Sequence, residues 1–123
     1  MKRFNFTPAI WHSEISNKEK RRTWQKAING DLKVVIGARS ALFLPLSDLS
    51  LIVVDEEHDS SYKQEDGIIY NARDMAVVRG NLSKSKVILA SATPSLESVH
   101  NANIGKYNRV VLPERFGSAV MPL

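Results

Sequence analysis

The sequence predicts an α/β fold, a parallel sheet with helices on both faces, and three observations carry that prediction. Short, continuously apolar runs recur at Pro8 to His12, Lys33 to Ile36, Leu51 to Val54, Lys86 to Ala90 and Tyr107 to Leu112. Runs of this length without alternation suit strands buried on both faces. Helix signals stand between several of them, and strands alternating with helices make parallel pairs. Polar chemistry falls directly after the runs, at Gly37 to Ser40, Asp55 to His58 and Ser91 to Ser95. Open α/β sheets place their sites at the carboxyl ends of strands.

The 123 residues, 43% apolar and 24% charged, suit one globular domain with a core of its own. The absence of cysteine excludes disulfides and cysteine zinc sites. The longest apolar run falls far short of the ~20 residues that span a bilayer, and no signal-type stretch follows Met1, so a cytoplasmic location without membrane contact is expected. Charge is segregated. Residues 1–30 carry 7 basic and 2 acidic side chains, residues 31–66 carry 3 and 8, and residues 67–123 carry 7 and 3. An acidic middle between basic ends fits a cation site beside surfaces that attract phosphates.

The elements follow in order. Pro8 to His12 is one strand. Ser16-Asn17-Lys18-Glu19 has the form of a capping box, and Gly30 supplies a residue free to adopt positive φ where that helix ends. Lys18, Lys20, Arg21, Arg22 and Lys26 make it a basic surface helix, with Trp24, Ala27 and Ile28 as its inward stripe. Lys33 to Ile36 and Leu51 to Val54 are buried strands. Asp59 to Tyr70 is polar, contains Gly67 and lacks periodicity, so it reads as a long functional loop. Asn71 caps a helix reaching about Asn81. After the strand Lys86 to Ala90, Thr93 caps a helix with Pro94 in its first turn, and Gly105 stops it. Tyr107 to Leu112 is the last strand, and residues 113–123 form a tail leading out of the domain.

Asp55-Glu56-Glu57-His58 is the sharpest feature. A carboxylate at the tip of a buried strand is held rigidly enough to position Mg²⁺, and its neighbour can take a proton from a water attacking a phosphate. Ser91 and Thr93 place two hydroxyls at the next strand end. Gly37, Arg39 and Ser40 offer a tight turn, a guanidinium and a hydroxyl, a set suited to phosphate contact.

Val53-Val54-Asp55-Glu56-Glu57-His58 resembles the Walker B box, motif II, of superfamily 2 helicases, and Ser91-Ala92-Thr93 resembles their motif III. The strings from Val35 to Phe43 and from Asp55 to Gln64 narrow the resemblance to the replication-restart DNA helicases of the primosome, over nearly the whole chain. The resemblance implies a partial RecA-like (P-loop NTPase) motor domain over residues 1–123, carrying motifs Ib, II and III. It implies ATP and Mg²⁺ as cofactors, with Asp55 holding the metal and Glu56 acting as general base. Glu57, His58, Ser91 and Thr93 would couple the ATP site to DNA. Arg39 and Ser40, in motif Ib, would contact the DNA backbone. Tyr62, Lys63, Tyr70 and Arg73 would fall on an aromatic-rich loop that senses single-stranded DNA. Forked or single-stranded DNA, the rest of the helicase chain, single-strand-binding protein and primosome proteins are the implied partners.

Departures accompany the match. Ile68 and Ile69 follow Gly67, where the family commonly places an aromatic. The 123 residues contain no G-x-x-x-x-G-K-[ST] and none of the family's zinc-binding cysteines. The P-loop strand, which the resemblance places inside the sheet, is therefore expected to be lacking, and with it ATP hydrolysis by this chain alone. A second reading is a non-catalytic DNA-binding remnant, because affinity for phosphates does not need a P-loop. A third, a phosphoacceptor receiver domain, would need an acidic pair after the first strand and a basic residue after the last. The sequence has His12-Ser13-Glu14 and Pro113-Glu114 there.

Overall fold

A computed structural model describes residues 6–64 and 70–113. Gly67, Ile68, Ile69 and most of the tail from residue 113 lie outside the described residues. The chain divides into two compact units, residues 1–92 and 93–123.

The first unit holds two parallel strand pairs. Strand β1 (Ala9–Trp11) pairs with β2 (Val35–Gly37), and β3 (Leu51–Val54) pairs with β6 (Lys86–Leu89). Between β1 and β2 runs helix α1 (Asn17–Asn29), whose ends obey the sequence: Ser16 accepts a hydrogen bond from the Glu19 amide, and Gly30 closes the helix at φ 78°. A 3-10 turn, Arg39–Phe43, follows β2. Gly37 is required before it, since a Cβ there would stand 2.5 Å from the Ala41 Cβ and 2.8 Å from the Trp11 carbonyl oxygen. A second 3-10 turn, Ser60–Tyr62, leads into a small antiparallel hairpin of β4 (Lys63–Gln64) and β5 (Tyr70–Asn71). Helix α2 (Ala72–Ser83) starts at Asn71, whose side chain accepts from the Arg73 amide. Ala27, Leu44, Val54, Ala72 and Ala76 are the buried apolar residues.

The parallel pairing matches the expected class, with several corrections. Among the described residues the strands form three separate two-stranded sheets instead of one continuous sheet. They are also not buried on both faces: Leu51, Val53 and Ile88 are about half exposed, because a two-stranded ribbon leaves one face open. Of the expected inward stripe on α1 only Ala27 is buried, and Trp24 and Ile28 are half exposed. The expected loop from Asp59 to Tyr70 contains the 3-10 turn and the hairpin strands.

In the second unit, helix α3 (Leu96–Asn103) is capped by Ser95, which accepts from the Ser98 amide, and not by Thr93. Pro94 thus precedes the cap. Gly105, at φ 83°, ends the helix as expected. Tyr107 to Leu112 forms no strand among the described residues, and Val110, Val111 and Leu112 are exposed.

Candidate functional site

Helix α2 lies against β6 at Gly80, where a Cβ would come within 2.2 Å of the Val87 Cγ2. That close approach sets α2 beside the ends of β3 and β6. The β3–β6 ladder continues beyond the strands, with the Ala90 amide donating to the Val54 carbonyl and the Glu57 amide to the Ala90 carbonyl. The turn Asp55 to His58 is therefore an extension of the sheet with fixed backbone.

Three successive carboxylates in that turn occupy three environments. Asp55 is exposed at the strand tip, and its Oδ1 accepts from the Glu56 amide at 2.9 Å. Glu56 is exposed and sits at φ 48°, one of two non-glycine residues with positive φ among the described residues. Glu57 is 1% exposed and faces the Arg73 guanidinium at 3.5 Å. The physical cause is the turn itself, which throws Glu56 outward and rolls Glu57 back beneath α2. His58 reaches the Ser91 hydroxyl through Nδ1 and stands 3.4 Å from the Glu56 carboxylate through Nε2. Glu56, His58 and Ser91 are thus joined in one chain of contacts across two strand ends.

The second cluster surrounds the 3-10 turn. Ser40 accepts from the Trp11 indole at 3.0 Å, and Arg39 donates to the Lys63 carbonyl at 2.8 Å. Phe43 meets Tyr70 edge to face, with ring centroids 5.3 Å apart. The Tyr62 hydroxyl donates to the Asp55 carbonyl. Burial, followed by the nearby Asp55, Asp59 and Glu56 carboxylates, raises the Tyr62 pKa, so the phenol holds its proton. Asp59 caps the turn Ser60–Tyr62 through the Ser61 amide, and that bond holds its carboxyl below the usual range.

The structure brings Asp55, Glu56, Glu57, His58, Ser91, Tyr62 and Arg73 together. Arg39, Ser40, Lys63 and Tyr70 gather a short distance away, linked through residues 62 and 63. Arg73 is buried against Glu57 and Asp74, so its guanidinium faces carboxylates in the protein. Thr93 is exposed and opens the second unit. No group of three metal-ligating side chains is poised for a metal ion among the described residues. A single exposed strand-tip carboxylate nonetheless suits Mg²⁺, which completes its octahedron with water and phosphate oxygens. Sequence reasoning missed Arg79, whose two arms donate to the Leu42 carbonyl and, at 2.6 Å, to the Leu44 carbonyl. Its signal in the sequence is an arginine that follows the apolar stretch Met75 to Val78 within α2.

The family model for DEAD/DEAH box helicases matches residues 1–102, and the chain belongs to that family. Within it, the chain is 52% identical over 99% of its length to the replication restart protein PriA of Rickettsia conorii, and 50% identical over 95% to that of Chlamydia pneumoniae. The Haemophilus influenzae protein of the same name is 45% identical over 95%. The chain spans 19% of the length of the first of these relatives and 16% of the other two.

Proposed function

We propose that this chain is the motif-bearing part of the first motor domain of an ATP-dependent DNA helicase that acts in replication restart. The observation that carries the reading is the division of labour in the turn Asp55 to His58: two exposed carboxylates beside a third that is buried and pinned by Arg73. Asp55 would hold the metal of Mg·ATP, which supplies the phosphoanhydride bond to be broken. Glu56, exposed beside it, would accept the proton of the attacking water at its carboxylate. His58 orients that carboxylate from one side and contacts Ser91 on the other, tying the base to the neighbouring strand end.

Arg39 and Ser40 would receive the DNA backbone, with Lys63, Tyr62 and Tyr70 on the adjoining loop. In this reading Arg73 serves the site by fixing Glu57, and Glu57 fixes the turn. Residues 62 and 63 bridge the two halves, because Tyr62 binds the Asp55 carbonyl while Lys63 offers its own carbonyl to Arg39.

The test uses the Rickettsia conorii relative with its matching segment replaced by this chain. The chimaera is expected to hydrolyse ATP in response to single-stranded DNA, and Glu56→Gln to slow it by about 10²- to 10⁴-fold, the ordinary range for a lost general base. A Glu56→Gln chimaera as fast as its parent would overturn the assignment.

A further inference from the structure

We propose that Arg79 is a positioning residue that fixes the 3-10 turn Arg39–Phe43 to helix α2 and so aims Arg39 at DNA; the DNA half of this statement rests on the reading of the preceding section. Arg79 lies on α2, six residues after Arg73, hence about 9 Å further along the axis and on a different face. Its two terminal nitrogens donate to the Leu42 and Leu44 carbonyls, at the end of the turn. The last carbonyls of any helical turn lack partners within it, and a planar guanidinium satisfies two of them at once where a lysine ammonium offers a single point.

What Arg79 is attached to matters as much as what it holds. Helix α2 is docked on β6 through Gly80 and to the catalytic turn through Arg73 and Glu57. A group tied to α2 is therefore tied to the turn that carries Asp55 and Glu56. The start of the 3-10 turn is held separately, by Trp11 on Ser40 and by Arg39 on the Lys63 carbonyl. Arg79 secures its other end, beside the buried Leu44. With that end released, Arg39 would sit on a turn anchored chiefly through its own side chain and Ser40, and would lose its fixed direction. The guanidinium is half-buried with both arms on carbonyls, which leaves it poorly placed to grip phosphate itself.

Two measurements on the chimaera decide the matter. In hydrogen exchange read by mass spectrometry, Arg79→Ala should speed exchange in the peptide covering residues 39–46 by about tenfold, with peptides over β3 and β6 unchanged. Unchanged exchange over 39–46 overturns the tether, whether or not the protein turns over ATP. In DNA-stimulated hydrolysis, Arg79→Ala should raise the half-saturating concentration of a (dT)20 oligonucleotide about five- to tenfold, with the rate at saturating DNA held within about twofold. Arg39→Ala should raise it similarly, and the double variant should be no worse than the weaker-binding single. Additive losses would show that Arg79 acts apart from Arg39 and overturn the proposal. Arg79→Lys, which keeps the charge and gives up one carbonyl, should fall between parent and alanine variant, and it decides by the same readouts if Arg79→Ala does not fold. An unchanged half-saturating concentration in Arg39→Ala, or a parent chimaera unresponsive to DNA, would overturn the site reading instead, while the exchange result still decides the tether.

Discussion

Glu56 combines a backbone that L-residues avoid with the side chain on which hydrolysis is argued to depend. At φ 48° its Cβ crowds the following carbonyl, at a cost of about 1 kcal/mol or more. The surrounding ladder, from the Ala90 amide to the Glu57 amide, over-determines that conformation. Glycine would relieve the strain and lose the carboxylate; glutamine would keep the strain and lose the carboxylate. Glu56→Gly is therefore expected to be more stable than Glu56→Gln by about 0.5 to 1 kcal/mol in urea unfolding, with both equally inactive. Equal stability would show that the turn carries no strain. Glu57 is the opposite case, a carboxylate chosen for burial. Removing Arg73 would leave it desolvated and facing one fewer cation, so Arg73→Ala should destabilise by about 3 kcal/mol, more than an exposed arginine would. The sequence marks all four residues of this turn as chemically loaded, and the resemblance assigns them different roles, yet neither shows that Glu57 is buried, because that depends on α2 passing over the turn.

Several elements with local signals agree with the structure, whereas the run Tyr107 to Leu112, which needs a distant partner, does not form the expected strand. The caps of α1 and α2 are read correctly because Ser16, Gly30 and Asn71 act within three or four residues of themselves. The run Tyr107 to Leu112 has strand composition, but a strand needs a neighbour, and none lies beside it among the described residues. The α3 cap slips by two residues because Thr93 and Ser95 are equally good acceptors in sequence, and only the backbone entering the helix chooses between them. Gly80 illustrates the same limit. In an isolated helix Gly80→Ala would stabilise by up to ~1 kcal/mol; here the new methyl meets Val87, so a loss of about 1 to 3 kcal/mol is expected. Gly80→Ala combined with Val87→Ala should recover part of it, and a stabilised single variant would refute the close packing. The bond from Tyr62 gives a pH-dependent counterpart. Its raised pKa means that the protonated phenol contributes stability fully below about pH 10, the unfolded value, and loses it as pH rises through the higher folded value. Tyr62→Phe should abolish that alkaline step in the exchange of the hairpin amides.

For the 123-residue chain taken by itself, the sheet edges decide the outcome. With the P-loop strand expected to be lacking, the sequence points to an unpaired edge on the strand that holds Val87 to Leu89. In the structure that strand is paired with β3, and the gap falls between β2 and β3, which flank a cavity of about 690 Å³ lined by Val35 to Gly37 on one side and Leu51 to Asp55 on the other. Two edges with backbone donors and acceptors thus face an apolar space instead of each other. Isolated two-stranded ribbons are marginal in water, and open apolar edges invite pairing with another chain. The half-exposed Leu51, Val53 and Ile88 add an uncovered face to the uncovered edge. At about 25 cal/mol per Å², a few hundred Å² left uncovered forgoes several kcal/mol, against a usual total stability of 5 to 15. The isolated chain should therefore unfold in urea with a shallow transition, at a midpoint that rises with protein concentration as copies associate, and light scattering should grow over the same range. Replacing Val53 and Ile88 with threonine keeps β-branching on the open face while removing its adhesiveness, and should suppress the scattering without sharpening the transition. A steep, concentration-independent transition of more than about 5 kcal/mol from a monodisperse monomer would mean that β2 and β3 close on each other in solution and pair across the cavity.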